Sequence, residues 1–281
     1  MRLFKKILKI TFSIILLIFI GLYIVFYQFT KPKSDETVME ELTTELVKPT
    51  LTKERFKSFE YRQVTIQKDT SLPTLIFVHG TIGSAIDFKS YLTDSVLLQK
   101  ANMIAYDRIG YNYMDEHNVQ ESIAFEAAML DSIIGNRTNV ILVGYSYGGP
   151  IALATKKKVK DIVLLAPAVY SKVEPMPSMI NVYKWKLTRW LVPPVWKQAS
   201  REKMSHKEDL KKFESKWAQT TNKVISIHGD VDWIVPYDNS LFLEKQFPKD
   251  QFKLITINNV SHELVWTKDT LIKQELLKLL H

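Results

Sequence analysis

One serine stands between two glycines in the run VGYSYGG, residues 143–149, with Gly144 two positions before Ser146 and Gly148 two positions after it. This Gly-x-Ser-x-Gly spacing is typical of a strand that turns sharply into a helix and pushes the serine hydroxyl clear of the sheet. Such a hydroxyl can act as a nucleophile in acyl transfer if a base removes its proton. The alternative is a tight turn whose serine has no chemical role.

Histidine is the usual base for a serine nucleophile, and six histidines compete for this role. His262, in NNVSHELVW, follows the last predicted strand and precedes the final helix, which places it at the same edge of the sheet as Ser146. The other histidines end strands, lie in polar segments or close the chain: His79, His228, His117, His206 and His281. His262 is therefore the predicted base.

The group that orients the histidine is predicted in HGDVDWIVP, residues 228–236, directly after a buried strand. Both Asp230 and Asp232 satisfy the chain order serine, acid, histidine. A surface turn with two solvated aspartates is the alternative interpretation. The position at the carboxyl end of a strand favours the catalytic one.

Attack by a serine creates an oxyanion, which needs N–H donors aimed at it in advance. One predicted donor is the backbone N–H of Tyr147, the residue after the serine. The other is the N–H of Thr81 in the glycine-bearing loop HGTIGS, residues 79–84. A phosphate-binding loop is disfavoured there, because the Lys-Ser/Thr ending and the full G-x-G-x-x-G pattern are absent.

The elements that must position these residues alternate between strands and helices. Strands are predicted at 61–67, 74–79, 102–107, 139–146, 161–166, 223–228 and 252–257, and helices at 119–134, 150–158 and 268–280. This alternation predicts an α/β fold, with a mostly parallel sheet flanked by helices on both faces. Active groups then gather at the carboxyl ends of the strands.

A helical insertion between residues 168 and 222 breaks this alternation and is predicted to form a lid at about 170–217. It holds four of the six tryptophans: Trp185, Trp190, Trp196 and Trp217. Residues 170–217 carry eleven lysines and arginines against five aspartates and glutamates, a net charge of +6 out of +8 for the chain. The charge suits either an anionic membrane surface or a solvated helical face.

The first 30 residues are predicted to be a transmembrane anchor. Residues 7–29 carry a single charge, Lys9, and are long enough to cross a bilayer. A cleaved signal peptide is the rival interpretation, but its apolar region is usually shorter and ends in a small-residue cleavage site. Arg2, Lys5 and Lys6 favour a cytoplasmic N-terminus and an extracytoplasmic catalytic domain, periplasmic or extracellular.

Residues 31–59 are polar and are predicted to be a linker with a helix at 36–57, interrupted by Pro49, before a hydrolase domain at 60–281. The chain has 281 residues and no cysteine, so disulfides and thiolate catalysis are excluded. No metal site and no cofactor are predicted. Nucleic-acid binding is disfavoured because no binding motif accompanies the positive charge.

The motifs together resemble the α/β-hydrolase superfamily of the abhydrolase type over about residues 60–281. They are HG at 79–80, YDRIGY at 106–111, GYSYGG at 144–149, GDVDWIVP at 229–236 and SH at 261–262. The resemblance implies Ser146 as nucleophile, His262 as base and acid, and Asp232 rather than Asp230 as the orienting group. It also implies oxyanion donors at Thr81 and Tyr147.

The resemblance also indicates which branches of the superfamily the chain does not match. Asp107 and Arg108 resemble a structural Asp-Arg pair of the family. A serine in the nucleophile position argues against epoxide hydrolases and dehalogenases, and GYSYGG differs from the GGSWG of proline iminopeptidases. One departure is that a single strand precedes the HG strand, which leaves the first edge of the sheet reduced or hidden in the linker.

The predicted function is a membrane-anchored serine hydrolase acting on an ester or thioester with an apolar acyl group, of which a lipid is one example. Aromatic residues predicted to bind substrate are Tyr145, Trp233, Trp185 and Trp190. Two alternatives remain at this point. The same triad could transfer the acyl group to an alcohol or amine, or the chain could be a catalytically silent, membrane-tethered binding module.

Overall fold

Eight strands form one sheet in the computed structural model, which describes residues 2–112 and 122–280. The strands are β1 Thr50–Phe56, β2 Phe59–Ile66, β3 Thr74–Val78, β4 Asn102–Tyr106, β5 Val140–Tyr145, β6 Asp161–Leu165, β7 Lys223–Gly229 and β8 Phe252–Ile257. Their order is β1-β2-β4-β3-β5-β6-β7-β8. The sheet is parallel from β4 to β8, and β2 pairs antiparallel with both β1 and β4.

Helices cover both faces of this sheet. They are α1 Arg2–Phe29, α2 Asp35–Leu42, α3 Lys89–Leu92, α4 Ser95–Leu98, α5 Ile123–Ile134, α6 Gly148–Leu153, α7 Ile180–Lys184, α8 Pro194–Leu210, α9 Asp238–Gln246, α10 Leu264–Thr267 and α11 Asp269–Leu277. Short 3₁₀ helices lie at Ala85–Phe88, Ser171–Val173, Arg189–Leu191 and Trp217–Gln219.

The central strands are apolar on both faces because each face packs on helices. In β5, Ile141 and Val143 belong to the core beside α3 and α11, whereas Val140 and Leu142 belong to the core beside α5 and α6. Successive strand side chains point to opposite faces, so a continuous apolar run serves two cores at once. The predicted α/β class and mostly parallel sheet are confirmed.

Several predicted helices have other bounds in the structure, and the closing helix expected at 268–280 is observed as α11, Asp269–Leu277. The helix expected at 150–158 ends at Leu153, where the chain turns toward β6 before the lysine run. The helix expected at 119–134 is observed as α5, which begins at Ile123 with Ser122 as its N-cap. Residues 119–121 of that prediction, and His117, lie outside the described residues.

The helix predicted at 36–57 is wrong beyond Leu42. Strand β1 occupies the second half of that segment and forms a hairpin with β2, with Phe56 opposite Phe59. The alternating sequence TLTKERF suits an edge strand, and Lys57 takes a positive φ of 54° in the turn. The sheet therefore begins at Thr50, ahead of the boundary expected at residue 60, and its missing first edge was hidden in the predicted linker.

The segment after α1 is packed against the sheet rather than extended as a linker. The buried guanidinium of Arg62 donates to the backbone oxygen of Lys33 at 2.7 Å and pairs with Asp107 at 2.7 Å. Val38 and Leu42 of α2 are fully buried in the core. These contacts hold the segment that follows α1 against the sheet.

Helix α1 is 28 residues long, apolar, and has no buried residue. It is long and apolar enough to cross a membrane, a property that a signal sequence near the N-terminus shares. Near its end, Phe26 packs edge-on against Trp196 of α8, with ring centroids 5.6 Å apart. Helix α1 therefore reaches the insertion between β6 and β7.

The insertion predicted as a lid is helical. It contains α7 and the 17-residue helix α8 between β6 and β7. Gln198, Glu202, His206 and Asp209 on α8 are buried polar residues spaced three or four apart. That spacing places them on one face of the helix, which lies against the domain.

Candidate active site

Ser146 lies at the bend between β5, which ends at Tyr145, and α6, which begins at Gly148. Its φ is +53°, in the left-handed region that a residue with a side chain rarely adopts. The bend is held on both sides, because Ser146 N–H donates to Leu165 O at 2.9 Å and Gly149 N–H donates to Ser146 O at 3.0 Å. The predicted strand–turn–helix context of the serine is therefore present.

The glycines around Ser146 allow backbones to approach closely. A Cβ on Gly148 would lie 2.1 Å from the carbonyl oxygen of Val78, and one on Gly144 would lie 2.6 Å from that of Gly148. A Cβ on Gly80 would lie 2.7 Å from Cβ of Ser146. Only glycine fits at these positions without a shift of the backbone or of the serine.

The three predicted triad residues lie within hydrogen-bond distance of one another. His262 Nε2 is 3.0 Å from Ser146 Oγ, and His262 Nδ1 is 2.7 Å from Asp232 Oδ2. All three residues are buried. Asp232 Oδ1 accepts the N–H groups of Ile234 and Val235, both at 2.9 Å, so the carboxylate is fixed in place.

The surroundings of Asp232 keep it ionised. Burial opposes its charge, but hydrogen bonds from His228 and His262 outweigh burial and hold the pKa of Asp232 well below its usual value. His228 Nε2 lies 3.3 Å from Asp232 Oδ2, and its Nδ1 lies 2.7 Å from Ser240 Oγ. Sequence reasoning placed His228 at a strand end and missed this contact, although the spacing of four residues from Asp232 signals proximity.

The other candidates for the acid and the base of the triad lie outside the hydrogen-bond chain of Ser146, His262 and Asp232. Asp230 Oδ1 accepts the N–H of Asn259 at 2.7 Å on the exposed side of the loop. His79 is fully buried, and burial lowers its pKa to about 3. Its Nε2 accepts the N–H of Arg108 at 2.8 Å, and its Nδ1 donates to Gly80 O at 2.7 Å. Both ring nitrogens of His79 are thereby occupied by the backbone.

The two predicted oxyanion donors flank the triad. Thr81 follows Gly80, whose Cα approaches Ser146, and Tyr147 is the N-cap of α6. Among the described residues, neither the N–H of Thr81 nor that of Tyr147 has a protein acceptor. Helix α6 is short, but its N-terminal N–H groups favour negative charge at the same place.

Residues of the lid insertion contact the side chains of both predicted oxyanion donors, Thr81 and Tyr147. Thr81 Oγ1 donates to Glu202 Oε2 at 2.6 Å. The ring of Tyr147 stacks on His206, with centroids 3.7 Å apart, and its hydroxyl donates to Glu174. Sequence reasoning named Thr81 and Tyr147 but did not foresee that the insertion holds their side chains.

Glu202 is the centre of a buried polar network that sequence analysis missed. Its carboxylate accepts hydrogen bonds from Thr81, Tyr111 and Arg108. Burial opposes ionisation, but the charge of Arg108 and these hydrogen bonds outweigh it, so the pKa of Glu202 is below its usual value. The DRIGY run and an acidic residue in the insertion were the available signals, but their pairing spans 94 residues.

The predicted substrate-binding aromatics separate into two groups. Tyr145 stacks on His262, with centroids 5.1 Å apart, and its hydroxyl donates to His262 O at 3.0 Å. Trp233 adjoins Asp232 and is 77% exposed. Trp185 and Trp190 point outward, and in the described part of the chain no hydrogen bond, ion pair or ring contact joins them to the triad.

A cavity of about 10 Å³ lies between Tyr147 and α8. Its lining is mostly polar: Arg108, Ile123, Glu126, Tyr147, Ile151, Glu202, Ser205, His206 and Asp209. A volume of this size holds about one water molecule. The cavity cannot hold an acyl chain while α8 stays in this position.

The family model described as "Alpha/beta hydrolase family" matches residues 75–277, which is more than half of the chain. The chain belongs to the alpha/beta hydrolase family. This assignment agrees with the sheet order, the bend at Ser146 and the helical insertion after β6. A search of curated proteins finds no significant match.

Solved structures with the same fold carry several chemistries. The chain is similar to Est816, described as an N-acyl homoserine lactone degrading enzyme, at 14% identity, with a TM-score of 0.66 over 81% of this chain and 99% of that one. It is similar to esterase EaEST from Exiguobacterium antarcticum at 15% identity, TM-score 0.61, over 79% and 96%. It is also similar to haloalkane dehalogenase DatA from Agrobacterium tumefaciens C58 at 12% identity, TM-score 0.64, over 83% and 96%. At these identities the likeness shows the fold alone.

Proposed function

We propose that this alpha/beta hydrolase is a serine hydrolase that cleaves carboxylic esters or thioesters through an acyl-enzyme on Ser146. The observation that carries the proposal is the chain of two hydrogen bonds from Asp232 through His262 to Ser146, at 2.7 Å and 3.0 Å. A serine, a histidine and an ionised acid in this arrangement form the constellation that activates a hydroxyl for acyl transfer.

The proposed reaction begins when Ser146 Oγ attacks the substrate carbonyl and its proton passes to His262 Nε2. Asp232 holds the tautomer of His262 that carries its proton on Nδ1, and stabilises the imidazolium. His262 then returns the proton to the leaving alcohol or thiol as the carbonyl bond re-forms. Water attacks the acyl-enzyme by the same route, with His262 as base, and releases the acid.

The N–H groups of Thr81 and Tyr147 are the proposed oxyanion donors. Their lack of protein acceptors supports this role, because a backbone N–H beside a buried site otherwise carries a desolvation penalty. Loss of one such donor in a serine hydrolase typically costs about 10²–10³ in rate. Their geometry depends on the turn at Ser146 and on the loop that Glu202 holds.

The proposed acyl group is apolar and enters beside the aromatic residues of the triad. Tyr145 covers one face of His262, and Trp266 packs edge-on against Tyr145 with centroids 5.6 Å apart. Trp233 offers an exposed ring next to Asp232. The polar cavity beside Tyr147 is too small for an acyl chain, so a chain could enter there only if α8 moved.

The proposal includes anchoring by α1, with the N-terminus in the cytoplasm and the catalytic domain outside. Support comes from the length and apolarity of α1 and from the basic residues that precede its apolar run. Alkaline carbonate extraction of membranes containing the full chain separates an uncleaved anchor, which stays in the pellet, from a processed signal sequence, which releases a shortened soluble product.

The test of the enzymatic proposal is labelling of the full chain with a fluorophosphonate, alongside Ser146→Ala and a p-nitrophenyl ester series from C2 to C12. We expect labelling and ester hydrolysis that disappear in Ser146→Ala, which retains the fold. A folded wild-type protein that neither labels nor hydrolyses would overturn the proposal and favour a silent binding module. An added alcohol acceptor that diverts the acyl group from water would indicate acyl transfer.

A further inference from the structure

The outward side of the lid insertion around α7 carries large apolar side chains that face solvent. Five of them form the surface we call the lid apolar surface: Met179 at 70%, Val182 at 43%, Trp185 at 66%, Leu187 at 89% and Trp190 at 67%. Scattered apolar residues are normal on a soluble protein, but a contiguous patch indicates an interaction site. Met179, Val182 and Trp185 are three residues apart along α7 and its caps, so they share one side of the helix. Thr188 donates to Val182 O and Trp190 donates to Leu187 O, so the chain after α7 stays folded beside it.

The short helix α7 is apolar on its inner side as well. Ile180 and Tyr183 are buried against the domain, and Arg201 Nε donates to the Tyr183 hydroxyl at 2.7 Å. A helix that only covered a site would present polar residues to water on its other side. The outer side of this segment carries Val182 and Trp185 beside the exposed polar residues Asn181 and Lys184, so it is amphipathic and leaves large apolar side chains uncovered.

Basic residues are interspersed among these apolar ones. Lys184, Lys186 and Arg189 are exposed, and residues 175–193 contain no aspartate or glutamate. The combination of tryptophan, leucine and basic side chains is typical of segments that lie in the headgroup region of an anionic bilayer. The cationic groups reach the phosphates while the apolar side chains enter the boundary with the acyl chains.

The position of α1 adds an independent observation. Phe26, near the end of the apolar run of α1, packs against Trp196 of α8 at a centroid distance of 5.6 Å. Trp196 lies six residues after Trp190 in the same insertion. The end of the helix that would leave the bilayer and the lid insertion are therefore in direct contact, so a membrane spanned by α1 lies beside the insertion.

We propose that the lid apolar surface inserts into the anionic lipid leaflet next to which α1 emerges. This inference rests on the proposed anchoring by α1 and not on the proposed esterase chemistry. The Trp190 indole is suited to the position, because its Nε1–H already donates to Leu187 O at 2.9 Å and needs no water. The lid insertion is then held at the membrane while its buried face contacts Thr81 and Tyr147.

Tryptophan fluorescence tests the inference directly, because all six tryptophans lie outside α1: Trp185, Trp190, Trp196, Trp217, Trp233 and Trp266. The full chain is reconstituted into vesicles of phosphatidylcholine and phosphatidylglycerol, with or without brominated acyl chains. The variant Trp185→Phe/Trp190→Phe removes the two exposed lid indoles. The control Trp233→Phe/Trp266→Phe removes two exposed indoles near the triad.

We expect brominated lipid to quench the wild type, and Trp185→Phe/Trp190→Phe to lose roughly half or more of that quenching, because interfacial indoles lie within reach of the bromines. The control variant retains its quenching. Circular dichroism of every variant checks that the fold is intact. Quenching that is absent in the wild type, or equal in the wild type and Trp185→Phe/Trp190→Phe, overturns the inference, as does quenching lost only in the control variant.

Charge provides a second measurement. The variant Lys184→Gln/Lys186→Gln/Arg189→Gln should reduce quenching in vesicles with phosphatidylglycerol, and added salt should reduce it in the wild type. Flotation of the vesicles separates the two proposals. Protein that does not float refutes anchoring and this inference together, whereas protein that floats without lid quenching refutes only the inference. If the segments around Trp185 of two copies cross-link to each other and brominated lipid does not quench them, a second copy of the chain covers the lid apolar surface. That result also overturns the inference.

Discussion

Thr81 Oγ1 donates a 2.6 Å hydrogen bond to Glu202 Oε2, joining the loop after β3 to helix α8 across 121 residues of sequence. The same carboxylate binds Arg108 and Tyr111, so one lid residue fixes the loop that carries a proposed oxyanion donor. The insertion is thus part of the site's framework and not only its cover. Removing or moving α8 changes the loop as well as the access to Ser146.

Glu202→Gln should lower both stability and activity. The substitution removes the nearer of two carboxylates beside the buried Arg108 and leaves Glu126 Oε1 at 3.7 Å from its Nε. Breaking a buried pair from one side costs about 3–5 kcal/mol. For a domain of this size that corresponds to a fall in Tm of roughly 10 °C. Differential scanning fluorimetry of the full chain in detergent measures it.

The matched control is Glu208→Gln on the same helix, whose exposed carboxylate pairs with the exposed Lys211. It should change Tm by little, because exposed ion pairs contribute at most about 1 kcal/mol. Equal effects of the two substitutions would show that the Glu202 network does not stabilise the fold.

Asp232→Asn should reduce kcat by about 10⁴-fold, because the amide favours the wrong tautomer of His262. Asp230→Asn is the control, since the Asp230 carboxylate accepts the N–H of Asn259 at the exposed side of the loop. Its kcat should stay within about twofold of the wild type, as expected for a surface substitution away from the site. A larger loss in Asp230→Asn than in Asp232→Asn would reverse the assignment of the acid. Both kcat values come from the preferred p-nitrophenyl ester.

Gly80→Ala should impair catalysis more than folding. The new Cβ would lie 2.7 Å from Cβ and 3.3 Å from Oγ of Ser146, so the nucleophile must move. Misplacement of a reacting group by about 1 Å can cost 10²-fold in rate. Gly21→Ala in α1, where no atom lies within 4 Å, should leave kcat unchanged. Wild-type kcat in Gly80→Ala would show that the serine tolerates the displacement.

Asp87→Asn should change the pH dependence of stability. Burial raises the pKa of Asp87 from 3.8 to about 7, with Asp107 adding to the rise, and the Ser84 N–H and Lys33 opposing it. The folded state binds this proton more tightly than the unfolded state. The resulting stabilisation is complete below about pH 4 and is lost as the pH rises through about 7.

Comparing Asp87→Asn with the wild type isolates the contribution of the Asp87 carboxyl group to the pH dependence of stability. The variant should gain free energy of unfolding relative to the wild type at pH 8 and show little difference at pH 4, because its amide never ionises. Urea unfolding at both pH values measures the difference. If the free energies of unfolding of the variant and the wild type differ by the same amount at pH 4 and pH 8, Asp87 does not titrate between these pH values.

Much of the site was predictable because its signals are local. Glycine is required at positions 144 and 148 because a Cβ there would lie 2.1–2.6 Å from backbone oxygens of the turn and of the adjacent strand, so the spacing of the glycines predicts the turn. His262 and Asp232 follow strands β8 and β7, and parallel strands bring their carboxyl ends together. The helix predicted at 36–57 failed because helix and edge strand compete closely in a polar segment, and pairing with β2 decides for the strand.

The sequence by itself determined the α/β sheet, the nucleophile turn and the order of the triad residues, since each depends on neighbours along the chain. The tertiary structure decided where β1 pairs and which insertion residues touch Thr81 and Tyr147. It also decided that Trp185 and Trp190 face outward and that Phe26 meets Trp196. These features depend on contacts between segments that are distant in sequence. Bringing such segments together costs conformational entropy, and the packing of the whole domain offsets that cost. A local sequence pattern contains no information on this packing.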